Sequence, residues 1–137
     1  MSDTRSTNLA AQEALGGVLN DKDIERLADY FDADVVDHDP APDQAPGVEG
    51  IKTFWTTFFT AFPDAEITPA IVVADDDTVT AVLDIKATHT GEFLGHAATG
   101  KNVTARGIQT ARFADGKIVE RWGVTDELGI LQQIGAV

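Results

Sequence analysis

Apolar residues recur at helical spacing in the first part of the chain, and this pattern predicts three helices. The first covers about residues 7–19, and the second starts after the capping signal Asn20-Asp21. The third begins near Gly47 and ends at Pro63; its apolar positions cover more than one face, so we expect burial on two sides. In chain order, the apolar positions of the three helices are Ala11, Leu15, Val18 and Leu19; Ile24, Leu27, Ala28 and Phe31; and Ile51, Phe54, Trp55, Phe58, Phe59 and Phe62.

From Glu66 onward the apolar spacing changes to two, which predicts strands. One hairpin is expected over residues 67–74 and 79–89, and a second over residues 102–113 and 117–125. Residues 34–47 are predicted to form a short strand that runs into a proline-containing loop, and one or two helical turns are expected at the C-terminus. Helices followed by a run of antiparallel strands predict one α+β domain, residues 1–137, with helices covering one face of a curved sheet.

The second hairpin has two faces of different character. Counting outward from the turn of residues 114–116 places three cross-strand pairs on one face: Gly107–Gly123, Gln109–Arg121 and Ala111–Val119. The other face carries Ile108, Thr110, Arg112, Ile118, Glu120, Trp122 and Val124. We expect the first face, which is small and polar at its centre, to line a cavity and the second to pack against a partner chain. The reverse assignment is the alternative.

Composition narrows the classes of partner. The formal net charge is −13, from 23 acidic and 10 basic residues, which disfavours nucleic acid and anionic membranes as partners. The N-terminal residues lack the pattern of a signal peptide and no long apolar run occurs, so we expect a cytoplasmic protein. The acidic surface indicates either adaptation to high salt or an acidic protein that is only highly soluble.

Few kinds of catalytic chemistry are open to this chain. It has no cysteine, and its three histidines, His38, His89 and His96, show no metal-binding spacing, so no metal site is expected. Neither a nucleophile elbow nor a glycine-rich phosphate loop is present. General acid and base catalysis by a carboxylate or a histidine in an apolar cavity remains.

Three stretches together carry a resemblance to a known family: THTGEFLG (residues 88–95), TGKNVTARGIQTARFADGKIVERW (99–122) and DELGILQQIG (126–135). They resemble the SnoaL-like polyketide cyclases, also called ester cyclases. VDHDP (36–40) and GIKTFWTTFFTAFPD (50–64) extend the similarity upstream. The resemblance implies the nuclear transport factor two-like fold, a cone of antiparallel sheet around helices (a cystatin-like α+β barrel), assembled as a homodimer or homotetramer. It also implies cofactor-free aldol closure of a polyketide, with an Asp on the last strand moving the proton.

The sequence departs from the family pattern where that acid is expected. Gly123 stands at the position of the strand Asp, and Gln109 and Arg121 correspond to its histidine partners. Asp126 matches an acidic position of the family but lies three residues further on, where the strand gives way to a helix. It is the leading catalytic candidate, and helix capping is the alternative that we favour.

Three more residues complete the predicted site. His38 is a second catalytic candidate, with a structural hydrogen bond as the alternative. His89 is in phase with the apolar side of its strand, so it is either a core histidine or a pocket base, and Trp55 is either core or pocket wall. Two functions remain open: an enzyme acting on an apolar carbonyl compound, with Arg121 and Gln109 stabilising an enolate, and a binding or assembly module of the same fold.

Salt should distinguish the two explanations of the acidic surface. If the surface is adapted to brine, the melting temperature should rise by several degrees from dilute buffer to molar sodium chloride, because screening relieves repulsion among carboxylates such as Asp75, Asp76 and Asp77. Calorimetry in chloride is the measurement, since sulfate also strengthens apolar burial. A melting temperature that does not change with salt would favour the merely soluble protein.

Overall fold

The computed structural model of the protein describes residues 2–137. It contains three α-helices, α1 (Ser2–Asn20), α2 (Gly47–Ala61) and α3 (Glu127–Gln133), and a 3₁₀ helix at Ile24–Asp29. The five strands are β1 (Phe31–Asp37), β2 (Glu66–Ala74), β3 (Thr78–Thr88), β4 (Asn102–Ala114) and β5 (Lys117–Thr125). No helix among these residues is long and apolar enough to span a lipid bilayer.

The predicted second helix is shorter than its apolar spacing suggested. Lys22 has a φ of 56°, which ends α1, and a single 3₁₀ segment follows. Phe31, expected on that helix, instead opens β1, where it is 2% exposed. Asn20 was expected to cap the helix, but its side chain bonds the backbone of Ile67 in both directions, at 2.9 and 2.8 Å. These two bonds tie the end of α1 to β2.

The strands form one curved, unclosed sheet in the order β1-β5-β4-β3-β2. The two predicted hairpins are antiparallel, as are β3 and β4. Edge strand β1 instead runs parallel to β5, with Asp37 beside Arg121. The α+β prediction is confirmed, and the sheet is mixed where a purely antiparallel one was expected.

A bulge at Val119 changes the predicted pairing of β4 with β5. Phe113 pairs with Ile118 but Arg112 pairs with Glu120, so one residue of β5 has no partner. The predicted partners were wrong by two residues, one from this bulge and one from the turn, where Ala114 pairs with Lys117. Gln109 lies opposite Gly123, and Gly107 lies opposite Thr125. A shift of two preserves the faces, so Gly107, Gln109, Arg121 and Gly123 still share one side. The bulge also turns Ile118 inward, where it is fully buried. The prediction that Ile118 lies on the outer face was therefore wrong.

The helices cover the inner face of the sheet. The core joins apolar residues of α1 and α2 to the inward residues of β3, β4 and β5, among them Leu15, Phe58, Phe62, Ile85 and Ala111. Phe58 of α2 and Phe62, which follows the helix directly, are 5.1 Å apart between ring centroids, and Phe62 stands 5.1 Å from Phe93 in the loop after β3. This aromatic packing joins the end of α2 to the loop between β3 and β4.

Much of the outer face of the sheet is exposed to solvent within residues 2–137. An apolar row crosses four strands through successive partners Ile71, Val82, Ile108 and Val124. Ile71, Ile108 and Val124 are 57%, 44% and 67% exposed, and Trp122 stands beside the row. A contiguous apolar surface of this kind is typical of a subunit interface.

We therefore expect the protein to be at least a dimer, and Trp122→Lys to weaken its assembly by placing a charge within the apolar face. Light scattering at micromolar concentration in high salt measures the effect. Leu128→Lys, at an exposed apolar position of α3, is the matched control and should leave the assembly intact. A monomeric unmodified protein would contradict this use of the face.

Candidate active site

A cavity of about 740 Å³ opens between the inner face of the sheet and α2. Its volume lies within the range of small-molecule sites, roughly 300–1,000 Å³. Residues of β3, β4 and β5 line one side and residues of α2 line the other. Residues 39–44 and 92–94 border it, together with Glu127 and Ile130 of α3.

One wall of the cavity is aromatic and aliphatic. Phe54, Trp55 and Phe58 of α2 line it, with Leu83 and Ile85 of β3 facing them. Trp55 packs edge-on against Phe54 at 5.2 Å between ring centroids and is half-buried, so the predicted pocket residue Trp55 belongs to both the core and the cavity wall. This wall suits an apolar ligand.

The opposite wall carries a hydrogen-bonded polar cluster around Arg121. Its Nη1 donates to Asp37 Oδ1 at 2.8 Å, and its Nε donates to Gln109 Oε1 at 3.2 Å. Gln44 Nε2 donates to the other oxygen of Asp37 at 3.0 Å. The side chains of Arg121 and Asp37 are only 17% and 9% exposed, so solvent screens this pair weakly and the guanidinium is firmly oriented.

Gly123 leaves the space that the guanidinium occupies. A Cβ added to Gly123 would stand 2.0 Å from Arg121 Nη2, so any side chain there must displace the guanidinium. The structure therefore changes what an Asp introduced at Gly123 would meet, since the sequence had paired Gly123 with Gly107. The partner across the ladder is Gln109, and the new carboxylate would compete with Arg121 for one space.

Asp39, which also lines the cavity, is hydrogen-bonded to the backbone of the same glycine. The amide of Gly123 donates to Asp39 Oδ2 at 2.9 Å, and the amide of Asp39 donates to Asp37 Oδ1 at 3.0 Å. Sequence reasoning named only His38 as a candidate in this segment. It missed the contributions of Asp37, Asp39 and Gln44 to the site because the parallel pairing of β1 with β5 leaves no local signal.

His38 lies on the other side of the sheet, away from the cavity. Its Nε2 contacts Glu120 Oε2 at 2.8 Å, and its ring stacks on Trp122 at 4.6 Å between centroids. The hydrogen bond from His38, followed by that from Arg112, lowers the pKa of Glu120 below its usual range. His38 therefore makes a structural hydrogen bond on the outer face, which was the alternative to a catalytic role.

His89 is buried completely, behind the cavity wall. Its Nδ1 accepts the amide of Thr99 at 3.2 Å, and its ring lies 5.7 Å from that of Phe62. Its Nε2 is buried and has no hydrogen-bond partner within residues 2–137. The side chain is therefore a core histidine with one nitrogen satisfied, and it is not among the residues that line the cavity.

Asp126 caps α3. Its Oδ1 accepts the amide of Gly129 at 2.9 Å, and its side chain is exposed to solvent. Its neighbours Thr125 and Glu127 line the cavity, whereas Asp126 does not. The structure therefore places one of the two catalytic candidates at a helix terminus and the other, His38, on the outer face, while Arg121, Gln109, Gly123 and Trp55 meet at the cavity.

Metal ligands are not grouped in the part of the chain that the structure describes. Within residues 2–137, no three His, Asp or Glu side chains come together in an arrangement that could hold an ion. The polar wall instead presents a cation, an amide and carboxylates. Such groups can orient and polarise a carbonyl compound.

A comparison with known families matches residues 9–134 to SnoaL-like polyketide cyclase. The chain belongs to the SnoaL-like polyketide cyclase family. This membership agrees with the resemblance in the sequence and with the observed α+β fold. A search of curated protein sequences found no match.

Solved structures of the SnoaL-like fold superpose over nearly the whole chain. TsrD from Streptomyces laurentii is 22% identical with a TM-score of 0.88, covering 97% of this chain and 98% of its own. IdmH from Streptomyces antibioticus, described as a candidate polyketide cyclase, is 29% identical with a TM-score of 0.82, covering 93% and 98%. A SnoaL-like polyketide cyclase from Agrobacterium tumefaciens is 23% identical with a TM-score of 0.78, covering 93% and 98%.

The capping bond of Asp126 predicts the result of its substitution. Asp126→Asn should leave the free energy of unfolding almost unchanged, because Asn caps about as well as Asp, whereas Asp126→Ala should cost about 1 kcal/mol. Urea denaturation of both variants is the measurement. Loss of turnover in Asp126→Asn with unchanged stability would instead make Asp126 the catalyst.

Proposed function

We propose that this SnoaL-like protein is a cofactor-free enzyme that transfers a proton at carbon in a small apolar carbonyl compound of the ketoester type. The products of such a step are those of an intramolecular aldol cyclisation or an isomerisation. The observation that carries the proposal is a single oriented guanidinium, that of Arg121, at one wall of an otherwise largely apolar cavity.

The chemistry follows from the two walls. The aromatic wall favours the carbon skeleton of the ligand, which leaves its carbonyl oxygens to the polar wall. Removal of a proton next to a carbonyl places negative charge on the oxygen, and a preorganised cation and hydrogen-bond donors stabilise that charge. Arg121 supplies the cation, while Gln109 and Asp37 hold it in place.

Family membership supports the same class of reaction. The description of the family names polyketide cyclisation, and polyketides carry the carbonyl groups separated by one carbon that such a step requires. A noncatalytic binding module remains the second candidate, because Gly123 supplies no side chain at the centre of the cavity wall. The two candidates differ in whether a bound ketoester loses a proton.

The test is exchange of the C2 proton of ethyl 2-methyl-3-oxobutanoate in deuterated buffer, followed by proton NMR. The unmodified protein should accelerate exchange above the buffer rate. Arg121→Lys keeps the positive charge but loses the planar set of N–H donors of the guanidinium. The rate of exchange should therefore fall by a factor of about 10²–10³, the usual effect of removing one oxyanion donor.

Arg106→Lys is the matched control, since it makes the same change at the exposed Arg106–Asp84 pair on the outer face. Arg106→Lys should accelerate exchange of the C2 proton of the ketoester as much as the unmodified protein does. Binding of the ketoester without any accelerated exchange would contradict the enzyme and favour the binding module.

A further inference from the structure

We propose that Asp39 is the catalytic base of the cavity, its carboxylate removing the proton from carbon while Arg121 receives the developing negative charge. This inference rests on the proposed function, which requires a base but does not identify one. The inference is based on the position of Asp39 and Arg121 at Gly123. The amide of Gly123 binds Asp39, and the absence of a side chain leaves room for the guanidinium of Arg121.

The carboxylate of Asp39 is held in place by one oxygen only. Oδ2 accepts the amide of Gly123, and no hydrogen bond to Oδ1 is made within residues 2–137. One oxygen is therefore anchored to the sheet while the other remains able to accept a proton. Asp39 is among the residues that line the cavity, which brings its carboxylate near a bound ligand.

The backbone around Asp39 is constrained on both sides. Its own amide donates to Asp37 Oδ1, and Pro40 follows it with a fixed φ. Gln44 links the residues on either side of Asp39. Its Oε1 accepts the amide of Ala41 at 3.0 Å, and its Nε2 donates to Asp37. A group that must meet a substrate atom benefits from such positioning.

The other carboxylates near the cavity are less suited to the role. Both oxygens of Asp37 are engaged, by Arg121 and Gln44, and its side chain is 9% exposed, so it orients the cation. Asp43, Glu92 and Glu127 line the cavity but make no side-chain hydrogen bond within the described residues, so nothing fixes their position. Asp39 alone among these groups is both anchored and able to accept a proton.

The step balances without a co-reactant. Asp39 Oδ1 takes the proton from the carbon between two carbonyl groups, and the electron pair of the broken C–H bond becomes the enolate held by Arg121. In cyclisation, the enolate carbon attacks a second carbonyl of the same molecule and forms the C–C bond. The alkoxide that results takes the proton back from Asp39, which restores the carboxylate.

Asp39→Asn tests the assignment in the ketoester exchange assay. The amide oxygen of Asn can still accept the Gly123 amide, so folding should be retained, but the base is lost. Turnover should fall by about 10²–10⁴ while KM changes little. Asp34→Asn, which removes the same charge from an exposed position of β1, is the matched control and should retain full turnover.

A second variant separates a base from a merely structural residue. Asp39→Ala should also lose turnover, and added acetate should restore part of it in a saturable manner, because a small carboxylate can occupy the vacated space. If Asp39→Asn retains turnover comparable to that of the unmodified protein, or if acetate restores nothing to Asp39→Ala, Asp39 is not the base and the proposed function stands. If the unmodified protein shows no exchange at all, the proposed function fails and this inference fails with it.

Discussion

The ion pair between Arg121 and Asp37 is the interaction on which the polar half of the site depends. It joins the edge strand β1 to β5 at the point where they run parallel, and both partners are largely shielded from water. Removing one member of a buried pair typically costs about 3–5 kcal/mol, because the other charge is left without compensation. The pair therefore fixes the edge strand and, through it, the start of the segment that carries Asp39.

The cavity is shaped by the difference between its two walls. Aromatic side chains of α2 form a wall whose position is set by packing against the core, as with Trp55 and Phe58. The facing strands place small residues at its centre, where Gly107 and Gly123 leave room for a ligand and for the guanidinium. The chain has a net charge of −13, yet the guanidinium of Arg121 places a positive charge at the cavity wall. This charge can attract an electron-rich oxygen of a ligand.

Gly123 shows how the loss of one side chain can reorganise a site. Without a Cβ, Gly123 leaves space for the guanidinium of Arg121, and its amide donates to the carboxylate of Asp39, which follows the end of β1. The acid at this position thus comes from a residue distant in sequence. Two residues 84 apart meet because their strands are adjacent in the sheet.

Local sequence determined most of the elements and the inward face of the second hairpin. The period-two pattern identified β2 to β5, the helical pattern identified α1 and α2, and Asp126 before an apolar helical turn predicted its cap. Gln109, Arg121 and Gly123 lie on the face that the sequence assigned to the cavity, because a shift of two residues preserves the faces of a strand. Each of these features depends on interactions between residues close along the chain.

Only the tertiary structure decided the remaining features. The bulge at Val119 interrupts the alternation of faces along β5, so that Ile118 is buried in the core. His38 faces outward because the position of the residues after β1 depends on a distant partner, Glu120. The sequence placed His89 on the apolar side of its strand, and the tertiary structure decided that it is buried in the core and does not line the cavity. The same holds for Asp37 and Asp39: their roles arise from parallel pairing of the first strand with the last, a contact whose sequence separation leaves no local pattern.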